Sequence, residues 1–320
     1  MAEVTLTPDV ATVGSLGPQM TEPREIGFDA SGLRFAALTW SPPAAEDAPL
    51  AVCLHGYPDT AWTWRHLGPY LAERGWRVVA PFMRGYAPTD LAPDGGYQVG
   101  ALGRDALEFH RALGGDDRAV LIGHDWGAAA TYIAGAHSPG TYKRLVSIAV
   151  PPPPVLFGPS RMLSSPGLTA RQLRCSWYMI FQQFPGAPER VLPSVIRRLW
   201  ADWSPGYDAT EDLAHVADAL RPPGRREAAL AYYRALLQPA YMRKAYAAEQ
   251  KHFLGVPDVP MLYLHGRDDG CLLAEIAERA VDVLAPGSRV EILPGVGHFL
   301  QLEQPVTANP LIADFVGAAA

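Results

Sequence analysis

The segment Val120–Ala130, VLIGHDWGAAA, limits this 320-residue chain more than any other stretch. Val120, Leu121 and Ile122 form the kind of apolar run that a buried parallel strand carries. Gly123-His124-Asp125-Trp126-Gly127 follows as a turn, and small residues continue as the start of a helix. The spacing is that of the G-x-S-x-G strand–turn–helix elbow, with aspartate in the serine position. Gly123 and Gly127 lack Cβ atoms, so strand and helix can approach around a strained turn that pushes the central side chain into a cleft. A serine there suits acyl transfer; a carboxylate can displace at saturated carbon and leave an alkyl ester. A lone Gly-x-Asp-x-Gly is common, and aspartate in a turn often bonds only its own backbone. The partners elsewhere in the chain therefore decide the reading.

Composition narrows the classes. Hydrophobic content of 48% and charged content of 19% fit a globular chain with a sizeable core. A net charge of −6 argues against nucleic-acid binding. Residues 151–250 carry 12 Lys and Arg against 8 Asp and Glu, which reads as a solvated arginine-rich surface. Cys53, Cys175 and Cys271 are scattered and lack paired spacing, so neither a disulfide framework nor a zinc site is expected. No two histidines pair with carboxylates at ligand spacing, and no metal or other cofactor is implied. The first residues lack a signal-peptide pattern, and no 18-residue apolar run exists; a cytoplasmic protein without membrane contact is the expectation. The sequence leaves monomer and homodimer open.

In chain order, residues 1–23 read as an N-terminal arm. Residues 24–40 read as two strands around Asp29-Ala-Ser-Gly32. Strands are expected at Leu50–Leu54, Trp76–Ala80, Arg118–Ile122 and Arg144–Val150. Helices are expected at Thr60–Arg74, Val99–Leu113 and Trp126–Ala136. This alternation predicts a parallel sheet covered on both faces. Pro151–Pro154 breaks the pattern, and 151–250 reads as an aromatic-rich helical insertion. Alternation resumes with strands at Met261–Leu264 and Arg289–Leu293 and helices at Leu272–Leu284 and Pro305–Val316. The expected organisation is a discontinuous core of 24–150 and 251–320 beneath a helical cap of 151–250.

Two late strands lead into candidate partners for Asp125: His265-Gly-Arg-Asp-Asp269 and Gly295-Val-Gly-His298. Catalytic groups of open parallel sheets gather at the carboxyl ends of strands, where all three residues fall. Their order is nucleophile, acid, histidine. With His55-Gly56-Tyr57-Pro58, Arg84-Gly85-Tyr86, the segment Tyr178–Gly186 and Tyr232-Tyr233-Arg234, the chain resembles the α/β-hydrolase-fold epoxide hydrolases over residues 24–317. It departs from the family pattern at Pro81-Phe-Met-Arg84, where aspartate is common after the proline, and at Ala87-Pro88.

The resemblance implies an α/β-hydrolase fold and an enzyme that adds water to a small-molecule epoxide to give a vicinal diol. Asp125 would be the nucleophile, His298 the general base and Asp269 its orienting acid. Tyr178 and Tyr233 would be ring-opening acids, and the backbone N–H groups of Tyr57 and Trp126 the oxyanion hole. A phenol that stays protonated at neutral pH suits a departing alkoxide. Asp268 is the alternative to Asp269. Trp177, Phe181 and Tyr232 are candidates for the substrate pocket, with core packing as the plain alternative, above all for Tyr232. His55, His124 and His265 read as structural. A haloalkane dehalogenase shares the aspartate nucleophile but needs no acid for a halide. A non-catalytic ligand-binding protein of the same fold needs neither triad nor phenols.

Overall fold

A computed structural model describes residues 3–5, 22–42, 47–157 and 165–319. Among them, nine strands form one sheet: β1 (Glu3–Thr5), β2 (Arg24–Ala30), β3 (Leu33–Trp40), β4 (Leu50–Leu54), β5 (Arg77–Pro81), β6 (Val120–His124), β7 (Arg144–Ile148), β8 (Met261–Gly266) and β9 (Arg289–Leu293). Their order is β1-β9-β8-β7-β6-β4-β5-β3-β2. The β2–β3 and β3–β5 pairings are antiparallel and all others parallel. The β2–β3 hairpin turns through Ser31 and Gly32 at φ 49° and 74°, the left-handed pair of a tight hairpin turn. Every residue of β4, β6 and β8 is buried, as helices on both faces demand.

β5 and β6 flank β4 on opposite sides, so the strand order reverses there. Such a reversal splays the connections apart and opens a crevice at the strand carboxyl ends. Helices α1 (Leu67–Ala72) and α2 (Val99–Ala112) come before β6 in the chain, and α3 (Trp126–His137) follows it directly. Between β7 and β8 the described elements are helical: α4 (Pro153–Phe157), α5 (Pro166–Cys175), α6 (Trp177–Phe181), α7 (Ala187–Trp203), α8 (Thr210–Leu220), α9 (Arg225–Leu237), two short 3₁₀ turns and Ala247–Gln250. Of these, α4, α5, α6 and α9 line the cavity at the crevice.

Three expectations change. Glu3–Thr5 adds a parallel edge strand to β9, where only a loosely attached arm was expected; residues 6–21 lie outside the described residues. The expected Thr60–Arg74 helix is a 3₁₀ turn at Ala61–Trp64 and a short helix at Leu67–Ala72. The break comes just ahead of Pro69, which has no N–H to give to a continuous helix. The expected Leu272–Leu284 helix is Ala274–Ala277 followed by a 3₁₀ turn, Glu278–Asp282. Its start is diverted because the N–H groups of Cys271 and Leu272 go to Asp269 Oδ1 and that of Leu273 to Gln172 Oε1.

Candidate active site

Asp125 stands between β6 and α3 at φ 52° and ψ −114°, outside the regions L-residues prefer. The flanking glycines permit it. A Cβ on Gly123 would overlap the Gly127 carbonyl, and one on Gly127 would overlap the Leu54 carbonyl of β4. The β4–β6 register pairs Leu54 with Gly123 and sets the loop after β4 beside the elbow. Gly56 has room only for hydrogen against the Asp125 side chain. Tyr57 N–H donates to Asp125 Oδ1 over 2.7 Å. Burial raises the Asp125 carboxyl to about 6, against the pull of His298 and the Tyr57 and Trp126 N–H groups.

His298 Nδ1 donates to Asp269 Oδ2 over 2.9 Å, and His298 Nε2 faces Asp125 Oδ2 at 3.8 Å with no hydrogen-bond partner. Burial alone would lower the imidazole, but the Asp269 carboxylate prevails and holds it above its ordinary value. Asp269 is buried, and its Oδ1 accepts from the N–H groups of Cys271 and Leu272 at 2.6 and 3.0 Å. Asp268 is exposed, which separates the two neighbours. His265 packs behind Asp269, with Nε2 on the Leu272 carbonyl at 2.9 Å and Nδ1 on the Tyr263 hydroxyl at 2.8 Å. His124 Nε2 donates to the His298 carbonyl over 3.0 Å. His55 Nδ1 donates to Gly56 O, and its Nε2 accepts from Met83 N–H. Burial lowers His55 to about 4 and drives His124 well down, so both are neutral supports.

Above Asp125 lies a cavity of about 380 Å³ lined by Asp125, Trp126, Tyr178, Tyr233, Cys271 and apolar side chains from α4, α5, α6 and α9. The Tyr178 and Tyr233 rings meet edge to face at 5.5 Å, and Tyr233 also packs on Trp126 at 5.1 Å. Burial pushes both phenols well above 10, so both keep their protons at neutral pH. Trp177, Phe181 and Tyr232 lie off this lining, a correction to the sequence reading. Trp177 turns outward against Phe181 and Arg198, and Tyr232 spends its hydroxyl on the Arg84 carbonyl at 2.8 Å. Successive helix positions face apart, so the helix that aims Tyr233 inward carries Tyr232 away.

Two contributors escaped the sequence reading. Cys271 lines the cavity with its Sγ 3.5 Å from the Tyr178 hydroxyl; its place two residues after Asp269 was the available signal. Glu303 accepts from the Gly297 and Phe299 N–H groups on either side of His298, at 2.8 and 3.0 Å, and nothing in its local sequence marks it. Among the described residues, Asp269, Cys271 and His298 could offer metal ligands, their donor atoms lying within 4.8 Å of one another. Asp269 and His298 already satisfy each other there.

A family model described as the alpha/beta hydrolase fold matches residues 49–305. The chain is 30% identical to epoxide hydrolase 4 of Mus musculus, over 89% of this chain and 77% of that one. It is 28% identical to the AB hydrolase superfamily protein YfhM of Bacillus subtilis, over 85% and 91%. The crystal structure of epoxide hydrolase A from Mycobacterium thermoresistibile shares the fold with a TM-score of 0.70 at 24% identity, covering 92% of this chain and 98% of that one.

Proposed function

Because the chain belongs to the α/β-hydrolase-fold epoxide hydrolases, we propose that it opens its epoxide through a covalent ester on Asp125, which water activated by His298 then hydrolyses. One observation carries the reading: Asp125, Tyr178 and Tyr233 line the same cavity while His298 Nε2 faces the Asp125 carboxyl. Asp125 Oδ1 is engaged by the Tyr57 N–H, leaving Oδ2 to attack. The new Oδ2–carbon bond forms as the epoxide C–O bond breaks, and a phenol proton goes to the alkoxide.

Water then gives a proton to His298 Nε2 and adds to the Asp125 carboxyl carbon. The imidazolium is steadied by Asp269, and the oxyanion on Oδ1 by the Tyr57 and Trp126 N–H groups. Collapse of that intermediate expels the ester oxygen, which takes the imidazolium proton to complete the diol, and the proton left on the Asp125 carboxyl returns to the phenolate, restoring the carboxylate. Epoxide and water are the only reactants required. Residues 24–150 and 251–320 serve as the core, and 151–250 as the cap that carries the phenols.

The test uses His298→Gln with styrene oxide. Ester should accumulate, seen as an intact-mass gain equal to the epoxide and mapped to Asp125. In the same assay Tyr178→Phe combined with Tyr233→Phe should suppress adduct formation. An adduct on another residue, or undiminished turnover by Asp125→Ala, would overturn the mechanism. Halide release from a bromoalkane at a rate rivalling diol formation would favour the dehalogenase reading.

A further inference from the structure

We propose that the cap completes the oxyanion-binding loop, with Gln182 as the positioning residue that holds Tyr57. The inference rests on the Asp125-ester reading. The loop that supplies the Tyr57 N–H meets the core on one side and the cap on the other. Gln182 Nε2 donates to the Tyr57 hydroxyl over 2.6 Å, and Trp200 Nε1 of α7 donates to the Pro58 carbonyl over 2.9 Å. Two successive loop residues are thus tied to two separate cap segments. Tyr57, Gln182 and Trp200 are all at most 1% exposed, so water does not compete for these bonds.

Gln182 is itself fixed by the parts of the cap that carry the phenols. Its N–H donates to the Tyr178 carbonyl over 2.9 Å, and its carbonyl accepts from Arg234 Nε, next to Tyr233 on α9, over 3.1 Å. Neither Gln182 nor Trp200 lines the cavity, so each acts through the loop rather than on substrate.

Only one of the two half-reactions depends on this tether. Alkylation turns Asp125 Oδ1 from a carboxylate oxygen into an ester carbonyl and removes charge from it. A slackened N–H donor costs that step nothing. Hydrolysis returns a full negative charge to Oδ1, and the same slackening slows it, because only charge that develops in the transition state is stabilised differentially. A residue that merely supports the fold would slow both steps alike.

Rapid-quench and intact-mass kinetics on styrene oxide separate the steps in the wild type, Gln182→Leu, Tyr57→Phe and the double variant. Tyr57→Phe keeps the N–H and removes only the tethered hydroxyl. Gln182→Leu should slow ester hydrolysis roughly five- to tenfold, the scale of one lost hydrogen bond, while alkylation keeps its rate. Tyr57→Phe should match it, and the double variant should be no slower than either. Equal slowing of both steps, unslowed hydrolysis, or additive losses in the double variant would overturn the inference. If Gln182→Leu does not fold, Tyr57→Phe alone decides by the same split. Absence of ester in His298→Gln would bring down the Asp125 reading as well; ester there with unslowed hydrolysis in Gln182→Leu removes the tether alone.

Discussion

At Asp125 the chain accepts two costs at once, a positive φ on a side-chain-bearing residue and a carboxylate buried to 7% exposure. The second cost can be measured. Its carboxyl is raised from 3.8 to about 6, chiefly by desolvation. A carboxyl raised on folding leaves stability untouched while both states are protonated and lowers it as the unfolded carboxyl ionises ahead of the folded one. The penalty is therefore absent below about pH 4 and complete above about pH 6. A rise of that size costs about 3 kcal/mol of stability at high pH. Asp125→Asn should be more stable than the wild type by about 2–3 kcal/mol at pH 8, with the gap closing as pH falls to 4. Urea melts across that range check it, and a gap independent of pH would contradict it. The residues legible in the sequence were those framed by glycine: Asp125, Asp269 and His298 each follow or sit within a glycine-marked turn. The pocket wall was not legible in the same way. Whether Trp177, Phe181 or Tyr232 faces substrate depends on how a helix is rotated by its neighbours, and local sequence does not carry that.

At the scale of the element, the strand–turn–helix unit works because β4, β6 and α3 touch backbone to backbone. Gly127 sits at that contact, where a Cβ would overlap the Leu54 carbonyl. Backbone cannot rotate away as a flexible side chain would, so α3 must slide as a body. Gly127→Ala should cost about 3 kcal/mol, the upper range for overpacking, and should move the Asp125 carboxyl off the Tyr57 N–H. Chemical denaturation checks the first part and single-turnover ester formation the second. Gly140→Ala, at an exposed turn with open space around it, measures the cost of a Cβ at positive φ without a clash. The alternation of strands and helices was readable because each buried strand is a continuous apolar run. Breaks inside Thr60–Arg74 and Leu272–Leu284 were not, because competing partners decided them: a proline in one, and the N–H groups taken by Asp269 and Gln172 in the other.

At the scale of the molecule, the cap is stitched into the core at several points remote from one another. Arg65 of the core binds Asp212 of α8, with Nη1 on Oδ1 at 2.6 Å, and Trp62 stacks on His215 at 4.6 Å. Tyr232 reaches the Arg84 carbonyl, and the Trp203 carbonyl accepts from both Gly270 and His298 N–H groups at 3.2 and 3.0 Å. The last contact ties the end of α7 to the loops that carry Asp269 and His298 together. A lid on a simple hinge would lack such ties and could melt by itself. Here loss of the cap would strip hydrogen-bond partners from buried groups of the core, including the loop that presents Tyr57. Cap and core should therefore unfold in one transition, with tryptophan fluorescence and far-UV circular dichroism coincident in urea. Asp212→Ala leaves Arg65 only the more exposed Glu211, 3.4 Å away, as an ion partner; it should lower stability by about 1–3 kcal/mol, less than a fully buried pair because Arg65 keeps that partner and some solvent. The transition should move to lower urea and stay single. Two separated transitions in the wild type, or a split in Asp212→Ala with the core melting at its original midpoint, would mean that the cap is an independent lid and that the loops carrying Asp269 and His298 do not depend on it.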